Sequence, residues 1–344
     1  MTDPTRADHL TAQRIAFAPL MFQAARCARD MGVLDVLHAA GEVGLTCEEV
    51  AERAAVSPYA ARVLLDACTA MELVLVDGER HRLSGAGVVT LTDPRTRVHT
   101  DFVHDVCYRG AFDLEASLRE GRAAGLPALG PWPNIYEGVP ELPANIRRSW
   151  YAFDHFYSDS VFPRAVRFLR DRGISRILDV GGNTGRFAVQ AAEHMHVTML
   201  DHEGQLRVAR TAAQEAGVSD RIETVPMDLL DHSRAFPRPF DGVWMSQFLD
   251  CFGEDDITAL LARGRAALGE NGRVFVVETF TDRQPAESAA FSLHATSLYF
   301  AALANGRSRM YRSTDLVRCA EQAGLKVELD RTIGPWHTLL VLAP

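Results

Sequence analysis

The sequence predicts an α/β protein. A mostly parallel sheet with an antiparallel last strand is expected over residues 171–344, preceded by a mainly helical winged-helix unit over residues 1–105. Three observations carry this. From residue 174 short apolar runs alternate with helical patterns, and such alternation implies a parallel sheet covered on both faces. The first apolar run ends in a glycine-rich turn, "LDVGGNTG". Upstream, residues 45–87 read as helix, helix, hairpin.

In the first unit, Ile15, Leu20, Ala24, Leu34 and Leu37 recur at mixed three/four spacing and predict helix over residues 10–40. Thr46 with Glu49 is a capping-box pattern, and Ser57 with Pro58 starts the next helix. "LVLVDGERHRLS" reads as a hairpin with a glycine in its turn. A winged helix suggests DNA, with its second helix as groove reader. From Ser57 to Leu73, however, Arg62 is the one basic residue, too little charge for phosphate contacts. Dimerisation or packing through the helices is the expected use.

Residues 106–170 are expected as a helical and loop connector that lines a pocket. "GLPALGPWPNIYEGVPELP" is rich in Pro and Gly and reads as an ordered loop. "ANIRRSWYAFDHFYSDSVFPRAVRFL" reads as one or two helices dense in aromatics, and Trp150, Phe153, Phe156 and Tyr157 are either core or pocket wall. Five strand-like runs follow: "SRILDV", "HVTMLD", "RIETVP", "FDGVWMSQ" and "GRVFVVET", with a short helix expected after the third. A helical insert, a helix near 313–324, and the strands "LKVELD" and "HTLLVL" complete the chain. The closeness of the last two strands predicts the antiparallel return.

Composition narrows the function. The 344 residues, 47% hydrophobic and 24% charged, suit a globular protein of two domains. A formal charge of -9 argues against nucleic acid as a partner. The basic side chains are arginines apart from Lys326. The six cysteines form no CxxC pair or metal-finger spacing and read as reduced thiols. The polar start lacks the apolar core of a signal peptide, and no run approaches the roughly 18 apolar residues of a membrane helix. A cytoplasmic protein without a membrane partner is expected.

"ILDVGGNTGRFAVQAA" puts Asp179, Gly181 and Gly185 at the junction of the first strand and its helix, where glycines let backbone approach a ligand. Asp201 ends the second strand, 22 residues after Asp179, at a place that suits a ribose diol. Asp228, after the third strand, is placed for an adenine amine, with Met227 against the ring. Together these residues predict an adenosine-type pocket at the carboxyl ends of the strands. The glycine spacing departs from GxGxxG, so a dinucleotide is not the expected ligand.

These residues resemble the first motif of class I S-adenosylmethionine-dependent methyltransferases. Nearly the whole chain resembles the O-methyltransferase family that includes the plant caffeate and hydroxyindole enzymes and bacterial polyketide-tailoring enzymes. The resemblance implies a Rossmann-like methyltransferase domain, a winged-helix dimerisation domain, a homodimer and a small-molecule methyl acceptor. It also implies S-adenosylmethionine as cofactor and S-adenosylhomocysteine as product. Carried over, Asp179, Gly181 and Gly185 surround the methionine part, Asp201 the ribose, and Met227 and Asp228 the adenine. Ser246 lies near the sulfonium, and Tyr157 stands where relatives often have Met. Asn183 replaces the middle glycine of the family's GGGTG, and Asn tolerates the left-handed conformation better than most residues.

The main departure is at the fourth strand. Relatives end it in a pattern like "NVLHDW", whose His is the general base for a phenolic hydroxyl. Here "QFLDCF" places Asp250 at the His position, Cys251 at the Asp and Phe252 at the Trp. Glu278, in "VFVVETF", keeps the glutamate that orients the base, and Ser308 replaces a second one. A free Asp has a pKa of about 3.9 and a phenol about 10, a gap of roughly 8 kcal/mol. Burial can raise a carboxyl by up to about 3–5 units. Asp250 therefore suits an already acidic hydroxyl, or a carboxyl acceptor that needs no base.

Other bases remain open: His294, one turn from Ser297 on the insert, and His337 at the start of the last strand. Cys251 is expected to be incidental, since methyl transfer needs no covalent intermediate and Asp250 should raise the thiol. Glu254, Asp255 and Asp256 read as first-turn acids of a helix. The expected reaction is O-methylation of an acidic hydroxyl or carboxyl in secondary metabolism, with Asp250, Glu278 and His294 as catalytic candidates and no metal. The alternatives are C-methylation of an enolisable acid, assisted by a metal on Asp250, His294 and a third ligand, a winged-helix regulator that senses the cofactor, and a cofactor-binding protein without methyl transfer.

Overall fold

The computed structural model describes residues 3–344. The chain forms two compact units, one ending at Asp101 and one spanning Phe102–Pro344. Residues 106–170, expected as a connector, belong to the second unit.

In the first unit the helical stretch is three helices, Arg6–Ala16, Ala18–Asp30 and Val33–Ala40. The second break is at Gly32, in left-handed backbone with φ 77°. The capping box forms as the sequence predicts: the Glu49 N–H donates to Thr46 Oγ1 at 3.3 Å, and the Thr46 N–H donates to Glu49 Oε2 at 2.8 Å. Ser57 caps helix Pro58–Ala70. Strands β1 (Val74–Asp77) and β2 (Arg80–Leu83) pair antiparallel as the wing. Leu34, Leu37, Val50, Leu65 and Cys68 build the core. Helix Arg6–Ala16 buries nothing, and Leu10 and Ile15 are exposed.

The second unit holds β3 (Arg176–Val180), β4 (His196–Asp201), β5 (Ile222–Pro226), β6 (Phe240–Ser246), β7 (Leu268–Glu278), β8 (Lys326–Ile333) and β9 (His337–Ala343). The sheet order is β5-β4-β3-β6-β7-β9-β8. Strands β3 to β7 run parallel, and β9 lies antiparallel between β7 and β8. Both faces are covered because successive residues of a strand point to opposite sides. Trp244, Phe275 and Val277 pack with Phe162, Phe187 and Leu206. Their neighbours Val243, Met245 and Val274 pack with Leu260, Leu261 and Leu316.

The short helix expected after β5 does not form. Asp228 Oδ1 accepts the Leu230 N–H at 2.9 Å, and Asp231 Oδ1 accepts the Ser233 N–H at 3.2 Å. Side chains that satisfy nearby N–H groups favour turns over helix, and Pro237 and Pro239 remove two further donors.

Between β3 and β6 the strand order reverses. Crevices at the carboxyl ends of parallel strands open at such a point, so the turns after β3 and β6 face one site. Phe275 is fully buried and meets Phe168 edge-on at 6.4 Å. Phe275→Ala should cost about 3–5 kcal/mol, read from urea unfolding followed by tryptophan fluorescence. A loss under about 1 kcal/mol would contradict the packing described.

Candidate active site

The turn after β3 fits backbone closely against its surroundings. Gly181 has φ 73°, and a Cβ there would lie 2.2 Å from the Phe248 ring. Gly185 has φ 78°, starts helix Arg186–Ala192, and a Cβ there would lie 2.8 Å from Ala209 Cβ. Both positions demand glycine. Asn183 adopts φ 50° and serves as a connector. Its N–H donates to Asp201 Oδ2 and its Nδ2 to Asp154 Oδ2, both at 2.8 Å.

Asp179 is 2% exposed, and its Oδ2 has no hydrogen-bond partner. Burial, with the Asp201 charge behind it, pushes its carboxyl up to about 8. Ser246 Oγ is also buried without a partner. Both residues line a cavity of ≈ 60 Å³ with Gly181, Gly182 and Arg186. An orphaned carboxylate oxygen beside a tightly packed glycine turn fits the ammonium of a bound amino acid. Asp201 ends β4, and its carboxylate also accepts the His202 N–H at 2.7 Å. Burial raises it against the pull of both backbone bonds.

A second cavity, ≈ 250 Å³, shares Asp154, Gly181, Asn183 and Gln247 with the first. Asp201, Gln205, Asp228, Leu229 and Leu230 line one part of it. Met227, expected against the adenine, is not in that wall. It is buried in the sheet core, and Arg263 Nη2 donates to its sulfur at 3.3 Å. Leu229, two residues on and packed against the same core, reaches the cavity wall in its place.

Aromatic rings enclose the rest. Phe102 stacks on Phe153 with centroids 4.0 Å apart, and Tyr299 meets Phe102 edge-on at 4.9 Å. Trp150 Nε1 donates to Tyr299 Oη at 2.9 Å. Trp150, Phe153, Asp154 and Tyr157 all line the cavity from helix Ala144–Ser158. Phe156 turns away and stacks on Trp336 at 5.8 Å. Asp154 escaped the sequence reading, although an acid at helical spacing within an aromatic stripe was the available signal. Tyr136, from the Pro-rich loop, was also missed.

Asp250 faces this cavity from the turn after β6. Burial is the main cause that pushes its carboxyl up to about 7, the nearby Asp154 charge adds to it, and the Cys251 thiol, donating at 3.6 Å, opposes it. Burial and the Asp250 charge push the Cys251 thiol up, so it is no thiolate nucleophile.

Glu278 ends β7, is 3% exposed, and does not line the cavity. Its Oε1 accepts the N–H of Phe248 at 3.0 Å and of Leu249 at 2.9 Å. It therefore pins the backbone of the turn that carries Asp250. Burial, then the Asp250 charge, push it well above the usual carboxylate range.

His294 is exposed and outside the cavity wall, which corrects its assignment as a catalytic residue. Helix Glu287–Tyr299 turns Leu293 and Thr296 inward, and His294 lies about 100° from Leu293 around the axis. Asp250 and His294 therefore do not form a metal ligand pair. Among the described residues no group of three or more His, Cys, Asp or Glu side chains could hold a metal ion. His337 is 1% exposed, and burial lowers it to about 4, so it stays neutral. Its Nε2 lies 2.7 Å from Gln247 Oε1 and braces that residue, which has φ 46°.

A sheet of this order, a glycine turn with an orphaned acid, and an acid closing the next strand fit the class I S-adenosylmethionine-dependent methyltransferase that the sequence resembles, and the comparisons with known proteins agree. Residues 160–326 match the O-methyltransferase domain, and residues 9–81 match the Dimerisation2-like domain. The chain is 27% identical over 321 residues to the L-tyrosine C(3)-methyltransferase of Streptomyces lavendulae, covering 91% of this chain and 86% of that protein. It is 25% identical to the acetylserotonin O-methyltransferase of Rattus norvegicus, covering 97% and 77% of the two chains. The solved structure of the S-adenosylmethionine-dependent methyltransferase SibL superposes with a TM-score of 0.71 at 26% identity, covering 97% and 98%. The chain thus carries a Dimerisation2-like domain followed by an O-methyltransferase domain, and S-adenosylmethionine is its cofactor. No helix among the described residues is long and apolar enough to cross a membrane.

Asp179, largely protonated at pH 7, should lose its proton when it pairs with the cofactor's ammonium. Calorimetric titration with S-adenosylhomocysteine in buffers of different ionisation enthalpy should then report proton release near pH 7. Asp179→Asn should abolish it. A buffer-independent heat for the unmodified protein would contradict this role.

Proposed function

We propose that this enzyme methylates a small phenolic acceptor of secondary metabolism, with Asp250 as the general base. The observation that carries the reading is the Asp250 carboxyl, held near neutrality and facing an aromatic cavity that joins the glycine turn. From a pKa of about 7, proton transfer from a phenol near 10 costs roughly 4 kcal/mol, about half the cost from a free Asp. A positioned base within that range is effective.

When bound, S-adenosylmethionine supplies an electrophilic methyl on a sulfonium. Asp179 and the turn Gly181–Gly185 would hold its methionine part, with Ser246 and Tyr157 nearby. Asp201 would take the ribose diol, and Asp228 with Leu229 the adenine. The aromatic wall packs the acceptor ring and excludes water. Asp250 accepts the hydroxyl proton. Glu278 remains protonated, because two buried carboxylates cannot both ionise cheaply, and it serves as a positioning residue for the turn.

Oxygen is the first-choice acceptor atom. Ring-carbon methylation is the second reading, favoured by the similarity to a tyrosine C-methyltransferase. The same proton removal serves both, since a phenolate is nucleophilic at oxygen and at the adjacent ring carbons. The Dimerisation2-like match and the exposed Leu10 and Ile15 on a helix that buries nothing support a homodimer.

A panel of small phenols with methyl-13C cofactor tests the reading, since aryl-methoxy and aryl-methyl carbons separate in the carbon spectrum. Asp250→Asn should lower kcat by about 10²–10⁴-fold while S-adenosylhomocysteine still binds. Turnover within a few-fold of the unmodified enzyme would rule out Asp250 as the base.

A further inference from the structure

The enclosed part of the cavity offers acids and aromatic rings but no permanent cation. Among the described residues that line it there is no arginine or lysine, although the chain carries 36 of them. An acceptor with a carboxylate or phosphate would meet no cationic partner in this wall and would face two carboxyl groups, Asp154 and Asp250. Burying an anion that way is costly. The same walls suit a cation. Asp154 has one oxygen held by Asn183 Nδ2, and its side chain keeps 28% exposure. The rings of Tyr136, Trp150, Phe153 and Tyr299 line the same space, and such faces attract a desolvated ammonium. Tyr136 Oη is buried in the same wall beside the Cys251 thiol, and its oxygen can accept an N–H of the acceptor.

We propose that the methyl acceptor carries a cationic amine beside its phenolic ring, and that Asp154 with the surrounding rings binds this ammonium and selects against anionic acceptors. The proposal rests on the phenol reading above. Asp250 and Asp154 then divide the work: one carboxylate takes the hydroxyl proton, the other fixes the amine. Rejection comes from like charge without a partner, and selection from the paired cation.

The test compares three phenols of similar size, tyramine (cationic), 4-ethylphenol (neutral) and 4-hydroxyphenylacetate (anionic). Each is titrated calorimetrically into the full-length enzyme saturated with S-adenosylhomocysteine. Tyramine should bind about tenfold or more tighter than 4-ethylphenol, with 4-hydroxyphenylacetate weakest. Asp154→Asn, checked for folding by its thermal melt, should bring tyramine close to 4-ethylphenol. Equal binding of the cation and the anion, no binding of tyramine, or a preference that survives Asp154→Asn overturns the proposal. Methyl transfer distinguishes the two ideas. Selective tyramine binding with no methyl transferred would sink the phenol reading alone. Equal kcat/KM for tyramine and 4-ethylphenol would sink the amine site alone.

Discussion

Two carboxyl groups share one buried space where β6 and β7 end, and the site is organised around that constraint. The register of the two strands sets Ser246 opposite Val277, and the Gln247 N–H donates to the Val277 carbonyl at 2.8 Å. Glu278 therefore arrives directly beneath the turn that carries Asp250. It satisfies two N–H groups of that turn, which fixes the path of the chain into the cavity. Low dielectric forbids both groups a charge at once. The more deeply buried Glu278 keeps its proton, and the cavity-facing Asp250 is left to titrate.

The same turn couples the base to the cofactor loop. The Phe248 ring sits where a Cβ on residue 181 would be, so the glycine turn and the Asp250 turn are packed as one unit. On the other side Asn183 joins Asp201 to Asp154 through its backbone and its amide. Cofactor-side and acceptor-side acids are thus connected by direct contacts rather than by proximity in sequence. His337, through Gln247, braces the strained residue that starts the turn. It lies outside the cavity wall with Nε2 engaged by Gln247, which makes it a support and not a base.

Much of this was legible in the sequence because local chemistry and global fold agree. The capping box at Thr46, the alternation from residue 174 and the glycine turn each fix their own geometry. Asp201 ends β4 and Asp179 stands one residue before the end of β3, so both follow from the strand pattern, whereas Asp250 lies in the turn after β6 and stands out through the family resemblance. What failed depended on phase. Helix Glu287–Tyr299 carries apolar residues all round, with Phe291 and Leu298 exposed and Leu293 buried, so its pattern does not say which way His294 points. Met227 and Leu229 lie in a loop without periodicity, and only packing decides which one meets the cavity. Asp154 was hidden because an acid among aromatics reads as a solvated helix position until the helix is placed.

The Asp250 carboxyl decides whether this site can remove the acceptor's proton. Its most direct test is the pH dependence of kcat with a turned-over phenol. A base must be deprotonated to work, and burial raises the proton affinity of this one, so the rate should climb with unit slope through about pH 7 and level off above it. A rate that is flat from well below to well above that pH would show that no such group titrates in the reaction, and would contradict the assignment.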